Sequence, residues 1–404
     1  MKIKKSIMLL LSLVVPVLSF AACSKPAAKK VVPKPTQEQT EAVATTKTDT
    51  AKTDTTKKTT SATISTDLYK YEVLLNGIKY SLPSAFSNFE KNGWVGEDEF
   101  AKDTLAPNKY KIETLKNGEQ TLMISIANFG MNVSPLSKCH VGEITVDTYG
   151  AKKGTTISIA KGITIGSTYD QVIAAYGKAS TEYKGDTLLK LTYTSGTYSN
   201  YEISIDNKTK KVYSIKLENL AAPTKTETKS ATTGLPSVVK SYKAPSSIGK
   251  DLLSFQVKYA GNYYKLPIPV TELVKNGWVL QSDNTAVIAA KSSAVGVELR
   301  KDNQVLRTQI TNYSDTAQPL KYCFATYIEY YNNGAVVPIE LPKGITEKST
   351  LAQITAAYGK PTKVENSSSF KYYTYGEIFK QVVFMTKDGK IEKIEVNYAP
   401  KELN

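Results

Sequence analysis

Apolar residues recur with helical spacing at two places in this chain. Tyr169, Val172, Ile173 and Tyr176 fall at i, i+3, i+4 and i+7, one face of a helix. Leu351, Ile354 and Tyr358 repeat the stripe, with Thr355 interrupting it. Each run opens on a threonine followed three residues later by a glutamine, Thr168 with Gln171 and Thr350 with Gln353, which is the capping-box pattern. Each closes at a glycine, Gly177 or Gly359, inside the pentapeptide AAYGK, which occurs at 174–178 and again at 356–360. That pentapeptide therefore reads as the last turn of an amphipathic helix, scaffolding and not a site. A shorter helix is predicted over 84–91, after Pro83 and before Asn92-Gly93, with a twin over 271–275 before Asn276-Gly277. Elsewhere the pattern alternates. Strands are predicted at 188–193, 201–206 and 212–217 after the first amphipathic helix, and at 370–375, 382–386 and 391–396 after the second. Asp388-Gly389 carries a hairpin signal. Further strands are expected at 121–128, 139–148, 305–311 and 322–331. The predicted class is α+β: β-rich, with two short helices per half and a C-terminal three-stranded antiparallel meander.

The likeness between the halves extends well beyond AAYGK. Lys91-Asn92-Gly93-Trp94 returns as Lys275-Asn276-Gly277-Trp278, shifted by 184; at that shift Gly77 meets Gly261, Asn128 meets Asn312 and Cys139 meets Cys323. The shift falls to 182 where Lys161-Gly162-Ile163-Thr164 matches Lys343-Gly344-Ile345-Thr346, and to 179 where Val212 and Ile215 meet Ile391 and Ile394. Small losses at loops, with constant register between them, predict two copies of one domain, 67–220 and 251–404. The Thr/Ser/Lys/Pro-rich stretch 221–250 is the expected linker.

The N-terminus points to an envelope location. Lys2, Lys4 and Lys5 precede an apolar run over 7–18, too short to span a bilayer and suited to a secretory signal. The run ends in Phe20-Ala21-Ala22-Cys23, which resembles the lipobox of bacterial lipoproteins. That resemblance implies removal of 1–22 and acylation of Cys23, leaving the lipid as the membrane anchor; the alternative is cleavage after Ala21 with a free thiol. Residues 23–66 are rich in Lys, Thr, Ala and Pro and too poor in apolar groups to build a core, so a disordered stalk is expected. As a random coil it would reach about 35–40 Å.

Charge then excludes one class of partner. The net charge is +15, yet residues 67–220 carry 18 basic and 17 acidic groups, and 251–404 carry 18 and 15. Most of the excess sits in the signal, the stalk and the linker, so no folded basic face for nucleic acid is expected.

The catalytic inventory is thin. His140 is the one histidine, with Phe324 at the matching position, and a single histidine cannot build a multi-histidine metal site. Cys139 and Cys323 occupy equivalent positions in separate halves and are expected as buried free thiols, with a bridge between halves as the alternative. Ser368-Ser369-Phe370-Lys371 matches S-x-x-K but leads into a predicted strand instead of opening a helix. No catalytic residue, cofactor or metal is assigned. One difference between the copies suggests a contact surface instead. Aligning Glu202 and Ser204 with Val382 and Phe384, and Lys190 with Tyr372, places Tyr372, Val382 and Phe384 on an outer sheet face as a candidate partner-binding surface.

The order G-x-T-x-G-S-T, helix, Tyr-Gly-Lys, then a β-meander resembles small bacterial envelope domains of the β-lactamase-inhibitor-protein and outer-membrane-assembly-lipoprotein type. That resemblance implies protein binding. The expected function is a non-catalytic binding or structural lipoprotein outside a bacterial cell membrane, with a protein or cell-wall polymer as partner. A solute-binding lipoprotein of a transporter and a cell-wall-acting enzyme are the alternatives.

Overall fold

Antiparallel sheet dominates the computed structural model, which describes residues 63–97, 99–223, 234–282, 286–332 and 336–403. Six short α-helices accompany the strands, giving an α+β fold. Cys23, the signal and nearly all of the expected stalk lie outside the described residues.

In the first half, strand Glu72–Leu75 pairs with Ile78–Ser81 and with Ile157–Ile159, forming a small sheet completed by Ile163–Thr164. A larger sheet runs in the order Thr181–Lys184, Leu188–Gly196, Ser199–Asp206, Val212–Asn219, His140–Asp147, Gln120–Ala127, Tyr110–Asn117, Val95–Gly96. Its inner face carries Leu191, Ile203, Ile215, Ile144 and Ile124, all withdrawn from solvent in one core with Phe89, Trp94 and Val172. The second half repeats the order. Gln256–Tyr259 pairs with Asn262–Lys265 and with Ile339–Leu341, and the C-terminal sheet runs Lys363–Ser367, Phe370–Glu377, Lys380–Lys387, Lys390–Tyr398, Tyr327–Tyr331. Here the large sheet divides. The strand equivalent to His140–Asp147 is interrupted at Thr326, giving Phe324–Ala325 and Tyr327–Tyr331 in two separate sheets. The second core, from Leu252 to Val396, shares no residue with the first.

The amphipathic helices form as expected, over Tyr169–Tyr176 and Leu351–Tyr358, each with its reciprocal capping box. The recurring pentapeptide proves to be one half of a staple. Lys161 donates its ammonium to the Ala175 carbonyl at 2.5 Å, Tyr176 donates its hydroxyl to the Ala160 carbonyl, and Tyr193 reaches the Gly177 carbonyl at 3.0 Å. Lys343–Ala357, Tyr358–Pro342 and Tyr375–Gly359 repeat all three bonds. The exposed carbonyls at the helix C-terminus thus receive a cation and one phenol, while the helix's own tyrosine reaches back to the carbonyl just before that lysine.

Several expectations are corrected at the edges. The short helices are Phe86–Glu90 and Val270–Lys275, because Ser84–Ala85 is taken up in pairing with Val141 and His140. Each meander gains a fourth strand, Thr181–Lys184 or Lys363–Ser367, at its outer edge. A one-turn helix, Thr148–Lys152, capped by Asp147, belongs to the first half. The linker is not loose along its whole length. Ser237–Lys240 is helical, and Leu235, Val238 and Val239 pack with Tyr313, Phe324 and Leu403 of the second half. Tyr242 adds reciprocal hydrogen bonds to Lys265.

The halves touch through equivalent loops. The Val133 N–H donates to the Asp315 carbonyl at 2.9 Å, the Ala290 N–H to the Met131 carbonyl at 2.8 Å, and the Ala317 N–H to the Asn132 side-chain oxygen at 2.7 Å.

Candidate functional site

The sheet face expected to differ between the halves does differ, but with other residues than the sequence indicated. Tyr372 pairs with Met385, and Tyr373 with Phe384. Val382 and Phe384 therefore point inward and are fully buried in the second core; they match Tyr201 and Ile203, not Glu202 and Ser204. The cause is a bulge. The first half inserts an extra residue between Thr194 and Gly196, so the shift between copies is 181 in the following strand, where the sequence alignment had used 180. A slip of one residue exchanges the two faces of a strand. Of the three proposed residues only Tyr372 is on the outer face; Val383 and Met385 replace Val382 and Phe384 there.

With the register corrected, two rows cross the outer face of the second half. One is Glu365, Tyr372, Met385, Lys393, Tyr331; the other is Lys363, Thr374, Val383, Glu395, Glu329. The equivalent rows of the first half read Tyr183, Lys190, Ser204, Ser214, Asp147 and Thr181, Thr192, Glu202, Lys216, Thr145. That face is a charge ladder. Lys190 meets Glu202 at 2.8 Å, and Lys216 meets Glu143 at 3.2 Å and Glu218 at 3.0 Å. Burial works against the Lys216 charge, but its carboxylate partners outweigh it and raise the pKa.

The second half keeps one charge cluster and surrounds it with apolar groups. Lys393 bonds Glu329 at 2.8 Å and Glu395 at 2.5 Å, and lies 5.8 Å and 5.6 Å from the ring centres of Tyr327 and Tyr331. Tyr327 donates its hydroxyl to Glu329 at 2.6 Å. Burial opposes the charge on Lys393, and the two glutamates more than offset it, so its pKa rises. Burial, reinforced by Glu395 and Glu329, drives the Tyr327 hydroxyl far above the usual phenol range. Lys393 therefore stays charged and Tyr327 protonated near neutral pH, and the cluster serves as a fixed framework. Beside it Tyr372, half-buried, and Tyr331, 41% exposed, lie on the same outer face over Met385 and Val383, which are buried at 7% exposure each, with Lys363 and Glu365 at the edge. An apolar centre rich in Tyr and Met with a charged rim is the composition of protein contact surfaces. Sequence reasoning missed Met385, Val383, Tyr327, Tyr331 and Lys393. The Asp388-Gly389 turn, which closes Lys387 on Lys390, was the signal that could have set the register.

The remaining candidates fall elsewhere. Cys139 and Cys323 are free and buried in separate cores, each donating its thiol to a proline carbonyl four residues back. Burial pushes their pKa values up to about 11 and about 12. His140 is half-buried against Phe129, ring centres 5.7 Å apart. Ser368 sits in a hairpin turn at φ 55°. No group of three or more His, Cys, Asp or Glu among the described residues is placed to hold a metal ion. A hollow of about 720 Å³ between the halves is lined by Thr104, Val133, Ser237, Lys291 and Asp315, with Lys291 paired to Asp315 at 3.1 Å.

Comparison with protein-family models, with curated proteins and with solved structures returned no match.

Proposed function

We propose that this chain is a lipid-anchored, non-catalytic binding protein of a bacterial envelope, built from two copies of one domain. Its second copy engages a protein partner through the outer sheet face around Tyr372, Met385, Val383 and Tyr331. The observation that carries this reading is the substitution pattern at equivalent positions. Lys190, Ser204 and Asp147 of the first copy stand where the second has Tyr372, Met385 and Tyr331. The two copies share one fold and matching cores yet differ on the outer sheet face, where Tyr331 is 41% exposed while Met385 and Val383 are each 7% exposed; an apolar outer layer in one copy alone points to a contact made by that copy. The order of elements, the shared capping boxes and the shared Lys–Tyr staple support the duplication. The lipobox-like Ala21-Ala22-Cys23, the Lys/Thr-rich segment after it and the likeness to envelope binding domains support the location and the non-catalytic role.

A photo-crosslinking residue at position 372, and separately at the equivalent position 190, tests the reading in cells. A discrete protein adduct from 372 and none from 190 is expected. Equal adducts from both, or none from either, would refute it.

A further inference from the structure

Three exposed apolar residues of the second half, Leu253, Ile378 and Phe379, meet at one end of its meander, away from the outer-face patch. Strands Phe370–Glu377 and Lys380–Lys387 are joined by a two-residue turn, Ile378-Phe379, whose side chains are 75% and 57% exposed. Leu253, 42% exposed, packs beside Gly376 at its base. Turns of this length ordinarily use Asn, Asp or Gly. Here Phe379 adopts φ +66°, a region that bulky residues avoid, and the Ala399 N–H holds its carbonyl at 2.7 Å. Gly376 makes the close approach possible, since a Cβ there would lie 2.3 Å from the Lys380 carbonyl oxygen. The turn thus accepts an unfavourable backbone in order to hold two apolar side chains in water, the kind of local strain that clusters at binding sites.

The first half builds the same feature. The Leu220 N–H holds the Tyr198 carbonyl at 2.8 Å in the same way, and Tyr198 is 61% exposed. Tyr69, at the position of Leu253, is 44% exposed. Around the second tip the charge is mainly positive. Lys250 and Lys343 line a hollow of about 490 Å³ on one side of Leu253, and Lys380 lines another of about 500 Å³ on the other. Two acids lie nearby, Asp251, whose carboxylate accepts from the Leu253 N–H at 3.0 Å, and Glu377, against the three lysines.

An apolar tip within a collar of lysines is complementary to a surface that is anionic outside and apolar just beneath. We infer that Ile378 and Phe379, with Leu253, insert into an anionic lipid surface while Lys250, Lys343 and Lys380 meet its phosphates. This contact is independent of the partner-binding face and survives if that reading fails.

The test uses the full chain carrying Cys23→Ser, so that no acyl group contributes, with Phe379→Trp as reporter. Trp94 and Trp278 are buried, so the new indole is the exposed one. Ile378→Trp serves as a second reporter if the first misfolds. With vesicles containing phosphatidylglycerol, a blue shift of the indole and quenching by acyl-brominated lipid are expected. Adding Leu253→Ser and Lys380→Glu is expected to weaken partition by about tenfold or more, the equivalent of roughly 1.4 kcal/mol. Adsorption without a blue shift, as the cationic N-terminal segment alone would give, overturns the inference. So does an equal shift on pure phosphatidylcholine, or capture of a protein at the tip while vesicles give no shift.

Discussion

Phe384 and Met385 are neighbours in one strand and face opposite ways, so truncating each in turn separates the core face of the sheet from its outer face. Phe384 is fully buried, with the rings of Tyr375 and Tyr358 at 5.9 Å and 6.5 Å. Removing a phenyl ring from such a site costs about 3–5 kcal/mol, the lost transfer free energy plus the cavity. Against a domain stability of about 5–15 kcal/mol that is a large fraction. At about 2–4 °C per kcal/mol for a unit of this size, Tm of the second half should fall by about 6–20 °C in Phe384→Ala. The two cores share no residue, and the halves meet through hydrogen bonds between loops such as Val133 to Asp315 and Ala290 to Met131. Calorimetry should therefore show one transition lowered and the other unmoved. Met385 lies on the outer face between Tyr372 and Lys393, buried at 7% exposure but outside the second core. Met385→Ala should cost less than Phe384→Ala, about 2 kcal/mol, a shift of about 4–8 °C. A larger loss from Met385→Ala than from Phe384→Ala would refute the register. A displacement of both transitions together would refute independent cores.

Three further outcomes follow from the same geometry. Tyr176→Phe and Tyr358→Phe each remove a hydroxyl bond to a carbonyl and should each cost about 1 kcal/mol by urea titration, in their own half alone. Thr168→Ala and Thr350→Ala, which remove the helix N-caps, should cost about 1 kcal/mol apiece in the same assay. The thiols give a pH dependence. Their folded pKa values, about 11 for Cys139 and about 12 for Cys323, lie above the ordinary 9.0, so their contribution to stability is complete below pH 9.0. It is lost as pH rises from there through the folded values. Urea midpoints should fall over that window, and a Cys139→Ala, Cys323→Ala chain should show a smaller fall. Native protein at pH 8 should resist iodoacetamide, and rapid alkylation would contradict the burial.

Much of the fold was legible because local rules and tertiary packing agree in it. The capping boxes, the helix-ending glycines and the Asp-Gly turn are short-range signals, and each appears where the residues placed it. The edge strands Thr181–Lys184 and Lys363–Ser367 were not legible, since they bury little and show no apolar alternation. The docking of 234–243 on the second half depends on Tyr313 and Phe324, which are distant in sequence. The candidate face was half legible. Polar-to-apolar replacement could be seen in the meander, but the bulge after Thr194 leaves no composition signal, and without it the register slips onto Val382 and Phe384. The Lys393 cluster joins strands 327–331 and 390–398 and depends on a pairing between segments more than fifty residues apart.

The most direct test of a partner face on one copy is to give the second copy the first copy's residues. A full chain with Tyr372→Lys and Met385→Ser should still melt cooperatively yet fail to co-purify the protein that the native chain captures, and with a photo-crosslinking residue at position 331 it should give no protein adduct. Unchanged capture by that folded variant would contradict the assignment.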